Sequence, residues 1–333
     1  MKTAQACIAA AALALVSIAA TQDATQDEQV LAHGRTCTTR FFAGELQPLW
    51  DEFDAGLTGA LGSIETLTAF REQALGQIGT EAELLDESVQ AQGDGKVYVR
   101  KARFTKVTVP IQVVFGFGKE GKIGTFVVQP EPKEAPSEHL DYQTKAALHL
   151  PFDDEWTVFW GGRTLAQNYH AAVADQRFAY DILIVKDGTS HAGEGRSNED
   201  YYCFGRPLLA PAAGKVVVAV DGVADNVPGA MNPREAAGNH VIIDHGQGEY
   251  SLLAHFRNGT LRVKAGQEVE AGAPLGECGN SGNSSEPHLH YHLQDSPEFH
   301  RGAGLPAQFL DYLADGAPVE RGEPVKGQRI QRR

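Results

Sequence analysis

Cysteine and methionine are scarce in this 333-residue sequence, at four and two. Cys37, Cys203 and Cys278 share no short spacing, which excludes a zinc–thiolate finger. None of them is placed beside a histidine as a thiol nucleophile would be. Basic residues are in deficit too: 29 Lys and Arg face 43 Asp and Glu, for a formal net charge of −14. Nucleic acid and anionic membranes are held by clusters of Lys and Arg, so neither is an expected partner. The sequence has no His-Glu-x-x-His helix and no tandem repeat. Its Gly-rich loops lack the strand–Gly–helix context of a phosphate cradle. Beyond the first twenty residues, no apolar run approaches the length of a membrane span.

The apolar run that does exist is an address. Lys2 precedes a stretch from Ala6 to Ala20 that ends in the small residues Ser17, Ala19 and Ala20, and the polar segment Thr21 to Glu28 follows. This is the pattern of a secretory signal peptide over residues 1–20, with an uncleaved anchor as the alternative. Cys7 falls too early in the run to be a lipid-attachment site. The expected mature protein is exported, periplasmic or extracellular, and free of the membrane. Such a compartment permits disulfides. Cys203 and Cys278 are the preferred pair, which leaves Cys37 over.

The length suggests about two domains. Residues 30–60 read as helix, because Phe41, Phe42, Leu46, Leu49, Trp50, Phe53 and Leu57 form one apolar stripe. A second helix is predicted from Ile64 to Leu75, with Gly79 ending it. Strands are predicted over Lys96–Phe104, Val107–Phe117 and Ile123–Gln129, with turns at Gly93-Asp94-Gly95 and Lys119–Lys122. Residues 30–130 therefore read as a small α+β domain, and the pattern resembles the cone-shaped nuclear-transport-factor-like domains. That resemblance implies a positioning or dimerisation module, and so a possible homo-oligomer. Residues 131–145, opening with the charged run Pro130–Pro136, read as an extended linker. Residues 146–333 turn all-β. Apolar runs at Trp156–Trp160, Phe178–Val185, Lys215–Val220, His240–Asp244, Tyr250–Phe256 and Leu261–Val263 predict an antiparallel sandwich or partly open barrel.

The most informative stretch is Pro287-His288-Leu289-His290-Tyr291-His292, just after the polar loop Gly279–Ser285. On a strand, His288, His290 and His292 share one face, while Leu289, Tyr291 and Leu293 share the other. Neutral imidazole is a favoured zinc ligand, and a catalytic zinc takes about three protein ligands with one position open. An affinity tag would be contiguous and terminal, and this run is neither. His170 with Asp181, and the isolated His255, are the residues that could complete a site.

These landmarks occur in a definite order. His170 and Asp181 come first, then Ala210-Pro211-Ala212-Ala213-Gly214, Gly238–Gly246 leading into Leu253-Ala254-His255-Phe256, and finally Gly279–Ser284 closing on His288-Leu289-His290. Over residues 165–295 the sequence resembles the lysostaphin-type zinc endopeptidases, which act on bacterial cell-wall peptides. The resemblance implies that His170, Asp181 and His290 bind zinc, and that His255 and His288 act on the substrate and the attacking water. Two imidazoles and one carboxylate give a zinc site of net charge near +1. Such zinc lowers the pKa of bound water toward about 7, and a nearby imidazole can take a proton or steady an oxyanion.

The sequence departs from the family in four places. His170 and Asp181 are eleven residues apart, where the family usually places them four apart, so Ala171–Tyr180 must turn between them. Asp175 is the rival ligand. The position two before His255, often Tyr, is Leu253, and His292 stands at a usual carboxylate position, either supporting the site or facing solvent. A polar insertion, Thr189–Tyr202, lies where it could shape a substrate groove. His240 and His245 read as structural, and His33, His139, His149, His191 and His300 have no evident partner. Three functions stay open: a peptidoglycan-cleaving zinc endopeptidase, a non-catalytic wall-binding or activator module on the same fold, and a β domain stabilised by a closed metal site.

Overall fold

A computed structural model describes residues 25–92, 95–118 and 120–333. The signal peptide expected over 1–20, and parts of the two hairpin turns expected near Gly93 and Lys119, lie outside the described residues. The chain divides into two compact units, one ending at Glu131 and the other spanning Pro132–Arg333.

In the first unit, the single helix expected over 30–60 is three. The chain is helical over 25–43 (α1), breaks at Gly44 in the left-handed region, and resumes at Leu46–Trp50 (α2) and Ala55–Leu61 (α3). Asp54 caps α3 by accepting from the Leu57 amide at 2.7 Å. Ile64–Ile78 (α4) runs three residues past the expected Leu75 and stops at Gly79, the residue expected to end it. Four antiparallel strands follow in simple order: β1 (Glu81–Gln92), β2 (Gly95–Phe104), β3 (Ile111–Phe117) and β4 (Ile123–Pro130). Phe41, Leu49, Leu67, Tyr98, Val113 and Phe115 close the core between helices and sheet. Each large apolar side chain buried in this way contributes roughly 1.5–3 kcal/mol. β1 was not predicted. Its Glu81, Glu83, Asp86 and Glu87 give it no apolar alternation, and it is held by its ladder to β2 and by Arg100 pairing with Glu81 and Glu87.

The second unit is all-β and antiparallel, with a few short 3₁₀ turns. Its strands are β5 (Trp156–Trp160), β6 (Tyr180–Leu183), β7 (Pro207–Leu209), β8 (Gly214–Val220), β9 (Asn239–Asp244), β10 (Tyr250–Phe256), β11 (Glu268–Val269), β12 (Pro274–Glu277), β13 (Leu289–Gln294), β14 (Gly304–Leu305), β15 (Phe309–Ala314), β16 (Ala317–Gly322) and β17 (Arg329–Arg332). The large sheet runs β11-β8-β9-β10-β13-β6-β5-β17-β15-β16, with β14 on β13, and β7 pairs with β12 separately. The large sheet does not close into a barrel. Leu261–Val263, expected as a strand, is irregular, and Arg262 is tied to the Leu275 carbonyl.

β13 occupies the middle of this sheet, between β10 and β6. Leu289, Tyr291 and Leu293 point into the main core with Tyr180, Ile182, Val241, Ile243 and Leu253. The opposite face carries His290 and His292. Ladder pairing puts Asp181 and Ala254 beside His290, and Leu252 beside His292.

The segment expected as a linker is fastened to the second unit. Glu249, fully buried, accepts from the Tyr142 hydroxyl and from the amides of Lys145 and Ala146 at 2.7–2.8 Å. Three donors offset the cost of burying that carboxylate. The expected disulfide is not formed. Cys203 and Cys278 are neighbouring free thiols in the core, and Cys203 donates instead to the Pro287 carbonyl at 3.0 Å. Burial and the adjoining Cys203 push the Cys278 thiol well up, which keeps it protonated and unreactive.

Candidate metal centre

Asp181 and His290 face each other across the β6–β13 ladder, and this register brings His290 Nδ1 to 2.9 Å from Asp181 Oδ1. His170 arrives from a different direction. Asn168 caps a 3₁₀ turn, Tyr169–Ala172, by accepting from the His170 amide, and the remaining residues loop back to β6. That loop absorbs the long His–Asp spacing and places His170 Nε2 at 3.6 Å from Asp181 Oδ2. One ligand atom from each of His170, Asp181 and His290 lies within 4.8 Å of the others, and all three residues are buried. Asp175, the rival ligand, sits apart from this group with its carboxylate toward His300 at 3.3 Å.

The other two histidines converge on the same spot. His255, the penultimate residue of β10, lies in the left-handed region (φ +66), at an irregularity in the ladder to β9. A non-glycine residue held there is strained, and such strain concentrates at functional sites. Its ring lies 4.8 Å from that of His288 and 5.8 Å from that of His290. His288, just before β13, places Nε2 at 3.5 Å from Asp181 Oδ1. The polar loop before it is tightly shaped. A Cβ on Gly282 would meet the Gly238 nitrogen at 2.4 Å, and its φ of +84 independently favours glycine.

Proton placement follows from the outer hydrogen bonds. The Asn168 amide donates to the Gly162 and Ala179 carbonyls, so its oxygen accepts, and His170 Nδ1–H donates to it at 2.9 Å. The Nε2 lone pair of His170 then points inward. His255 Nδ1–H donates to the Ser281 carbonyl at 2.7 Å, which leaves its Nε2 bare as well. Burial lowers His170 to about 3 and holds His255 well below the ordinary imidazole range, so both rings are neutral at pH 7. His288 differs. Burial opposes its charge, but the Asp181 carboxylate raises it to about 9. Burial would also raise the Asp181 carboxyl, yet the surrounding imidazoles hold it well below the usual range.

The donor set fits zinc. Imidazole nitrogens with one carboxylate oxygen suit zinc better than calcium or magnesium, which prefer all-oxygen shells. The inward lone pair of His170 faces an acceptor, Asp181 Oδ2, and a shared cation would make that contact favourable.

A cavity of about 110 Å³ opens onto the group, lined by Tyr169, His170, Gln176, His255, Asn283 and His290 among others. A second, of about 400 Å³, shares Ala236, Ala237, Phe299 and His300 with it. The 189–202 insertion reaches the 279–287 loop, with Ser190 donating to Glu286 at 2.8 Å. Sequence reasoning missed Tyr169, whose hydroxyl lies 3.3 Å from Asp181 Oδ2, and Asn168, whose Asn-x-His spacing was the available signal.

His33, expected to lack a partner, pairs with Glu52, and Cys37 lies close enough to make a second His/Cys/Glu grouping. Glu52 is already matched by Arg40, and burial pushes the Cys37 thiol up to about 12, so this group reads as an ion-pair network beneath α1.

An antiparallel β unit whose central strands gather histidines around one buried carboxylate forms a candidate metal site. Residues 199–300 match the model of Peptidase family M23, in agreement with the lysostaphin-type resemblance read from the sequence. That match contains His255, His288 and His290, while His170 and Asp181 precede it. Peptidoglycan DD-endopeptidase ShyA of Vibrio cholerae is 42% identical over 57 residues, covering 17% of this chain and 13% of that protein. An uncharacterized metalloprotease of Haemophilus influenzae is 36% identical over 96 residues, 29% of this chain and 16% of that protein. Cell division protein DipM of Caulobacter vibrioides is 30% identical over 105 residues, 32% of this chain and 16% of that protein. The chain thus spans under a fifth of the length of these relatives. Among solved structures, the lysostaphin catalytic domain of Staphylococcus simulans aligns with TM-score 0.28 and 21% identity, covering 44% of this chain and 85% of that one. Among the described residues, no helix is long and apolar enough to cross a membrane.

Proposed function

We propose that this protein is an exported zinc-dependent endopeptidase that hydrolyses peptide cross-links of bacterial peptidoglycan. The observation that carries the reading is the convergence of His170, His255, His288 and His290 on the single buried carboxylate of Asp181. The name of the Vibrio cholerae relative supports the substrate class, and the signal-peptide pattern expected over 1–20 supports export.

In this reading His170, Asp181 and His290 hold the zinc. When bound, zinc supplies a Lewis acid that polarises a peptide carbonyl and acidifies water. His255, neutral and anchored through Nδ1, offers Nε2 to take a proton from the attacking water. His288, anchored through Nδ1–H to the Glu286 carbonyl at 2.8 Å, aims Nε2 into the site and, in its protonated form, can donate to a developing oxyanion or leaving amine. The cavity beside His255 and His290 receives the peptide, and its continuation past Ala237 toward His240 and Phe299 receives flanking residues.

The test is digestion of cross-linked muropeptides by purified protein, with and without chelation and zinc return. Cleavage that stops on chelation and returns with zinc is the expected result. A protein that holds zinc yet cleaves no muropeptide or glycine-rich peptide would instead be a non-catalytic wall-binding or activator module.

A further inference from the structure

Three alternate residues of β13 form a hydrogen-bonded row on one face. His290 Nε2 lies 2.9 Å from His292 Nδ1, and His292 Nε2 lies 2.8 Å from Gln294 Oε1. His292 and Gln294 have no solvent exposure. The direction of the row can be read from its far end. Gln294 Nε2 donates to the Ser296 carbonyl at 2.7 Å and the Glu298 carbonyl at 3.2 Å. Both are acceptors only, which fixes the amide orientation and leaves Oε1 to accept. His292 must therefore carry its proton on Nε2. Neither of its ring nitrogens meets a carboxylate, so this buried ring is neutral and its Nδ1 is an acceptor. His290 must then donate from Nε2, and in the neutral ring its Nδ1 is the nitrogen with the lone pair.

Resting on the zinc reading above, we propose that Gln294, acting through His292, is a positioning residue that fixes the tautomer of His290 so that Nδ1 faces Asp181 as a lone pair ready for metal. An imidazole at position 292 cannot do this alone, because it can donate or accept from either nitrogen. The amide at 294 removes the ambiguity. Without it, His290 can place its proton on Nδ1 and donate to Asp181 Oδ1, 2.9 Å away, which occupies the ligand nitrogen. Partners that set a ligand's tautomer typically change metal affinity about 10–100-fold when removed.

The test uses the full chain and reads zinc affinity by chelator competition. Gln294→Leu is expected to weaken zinc about 10–100-fold. His292→Glu supplies an acceptor to His290 directly, so adding Gln294→Leu in that background should cost about twofold or less, a non-additivity that general loosening of the strand would not produce. Nitrogen-15 spectra of histidine-labelled, metal-free wild type should show His290 protonated on Nε2. A folded Gln294→Leu protein with wild-type zinc affinity overturns the proposal, as does a wild-type spectrum with the His290 proton on Nδ1. If Gln294→Leu does not fold, the wild-type spectrum decides. If wild type binds zinc but His290→Ala binds it equally well, the zinc reading itself has failed, and the proposal falls with it.

Discussion

Asp181 and His290 are direct cross-strand partners, and the ladder between β6 and β13 alone brings carboxylate and imidazole to 2.9 Å. Two of the three prospective ligands are thus placed by sheet register, which a one-residue slip would destroy. His290→Ala and Asp181→Ala should each weaken zinc by about 100-fold or more, beyond the usual cost of losing a supporting partner. Chelator competition with metal analysis checks this, and stoichiometric zinc in either variant would remove that residue from the site.

His288 is assigned to chemistry and not to the metal. His288→Ala should retain about one zinc per chain while cleavage falls by about 10²–10⁴-fold, the usual worth of a positioned acid or base. Rates on cross-linked muropeptides, read beside zinc content, separate the two roles. A variant that keeps its rate excludes His288 from the mechanism.

Zinc uptake should release protons with a specific origin. In the metal-free protein, Asp181 raises His288 to about 9 against the effect of burial, so His288 is charged at pH 7.5. A divalent cation at Asp181 withdraws that support, and about one proton leaves with metal binding. Calorimetry in buffers of different ionisation enthalpy measures it, and His288→Ala should lower the release by about one. The sign for stability follows. A raised pKa stabilises the fold fully below the unfolded value of ~6.5, and that contribution is lost as pH climbs to about 9. His170 acts oppositely. Lowered to about 3 by burial, it costs stability as pH falls below ~6.5, where the unfolded chain takes up a proton.

Gly282→Ala should lower the melting temperature and the cleavage rate together. The substitution strains a left-handed backbone and drives a methyl group into the Gly238 nitrogen. A change of about 1 kcal/mol or more is expected, read by thermal unfolding. A wild-type melting curve would show that the loop relaxes freely.

The strand bearing the three alternating histidines was legible because its two faces differ so sharply: Leu289, Tyr291 and Leu293 against His288, His290 and His292. Trp156–Trp160 and Tyr250–Phe256 were equally plain, since dense apolar residues lie between turn signals. β1 was not, because a strand rich in Glu and Asp is held by its neighbour's ladder and by Arg100, neither visible locally. The C-terminal strands β15–β17 escaped notice, because they join the sheet through the pairing of β17 to β5, which closes a loop of more than a hundred residues. Local spacing also gave no hint that Glu249 reaches back to Tyr142 or that Glu52 meets His33. At the site, the imidazoles could be read from sequence, whereas Asn168 and Gln294, which orient them, are ordinary polar residues until their partners are seen.

The clasp at Glu249 bears on how this molecule can be dissected. A recombinant piece trimmed to the family match at 199–300 would discard Asp181 together with β5, β6 and β17, and would strand the Glu249 carboxylate without its donors. Such a piece should aggregate on expression. A shortened protein meant for crystallisation or assay has to start upstream of Tyr142 and keep the last strand.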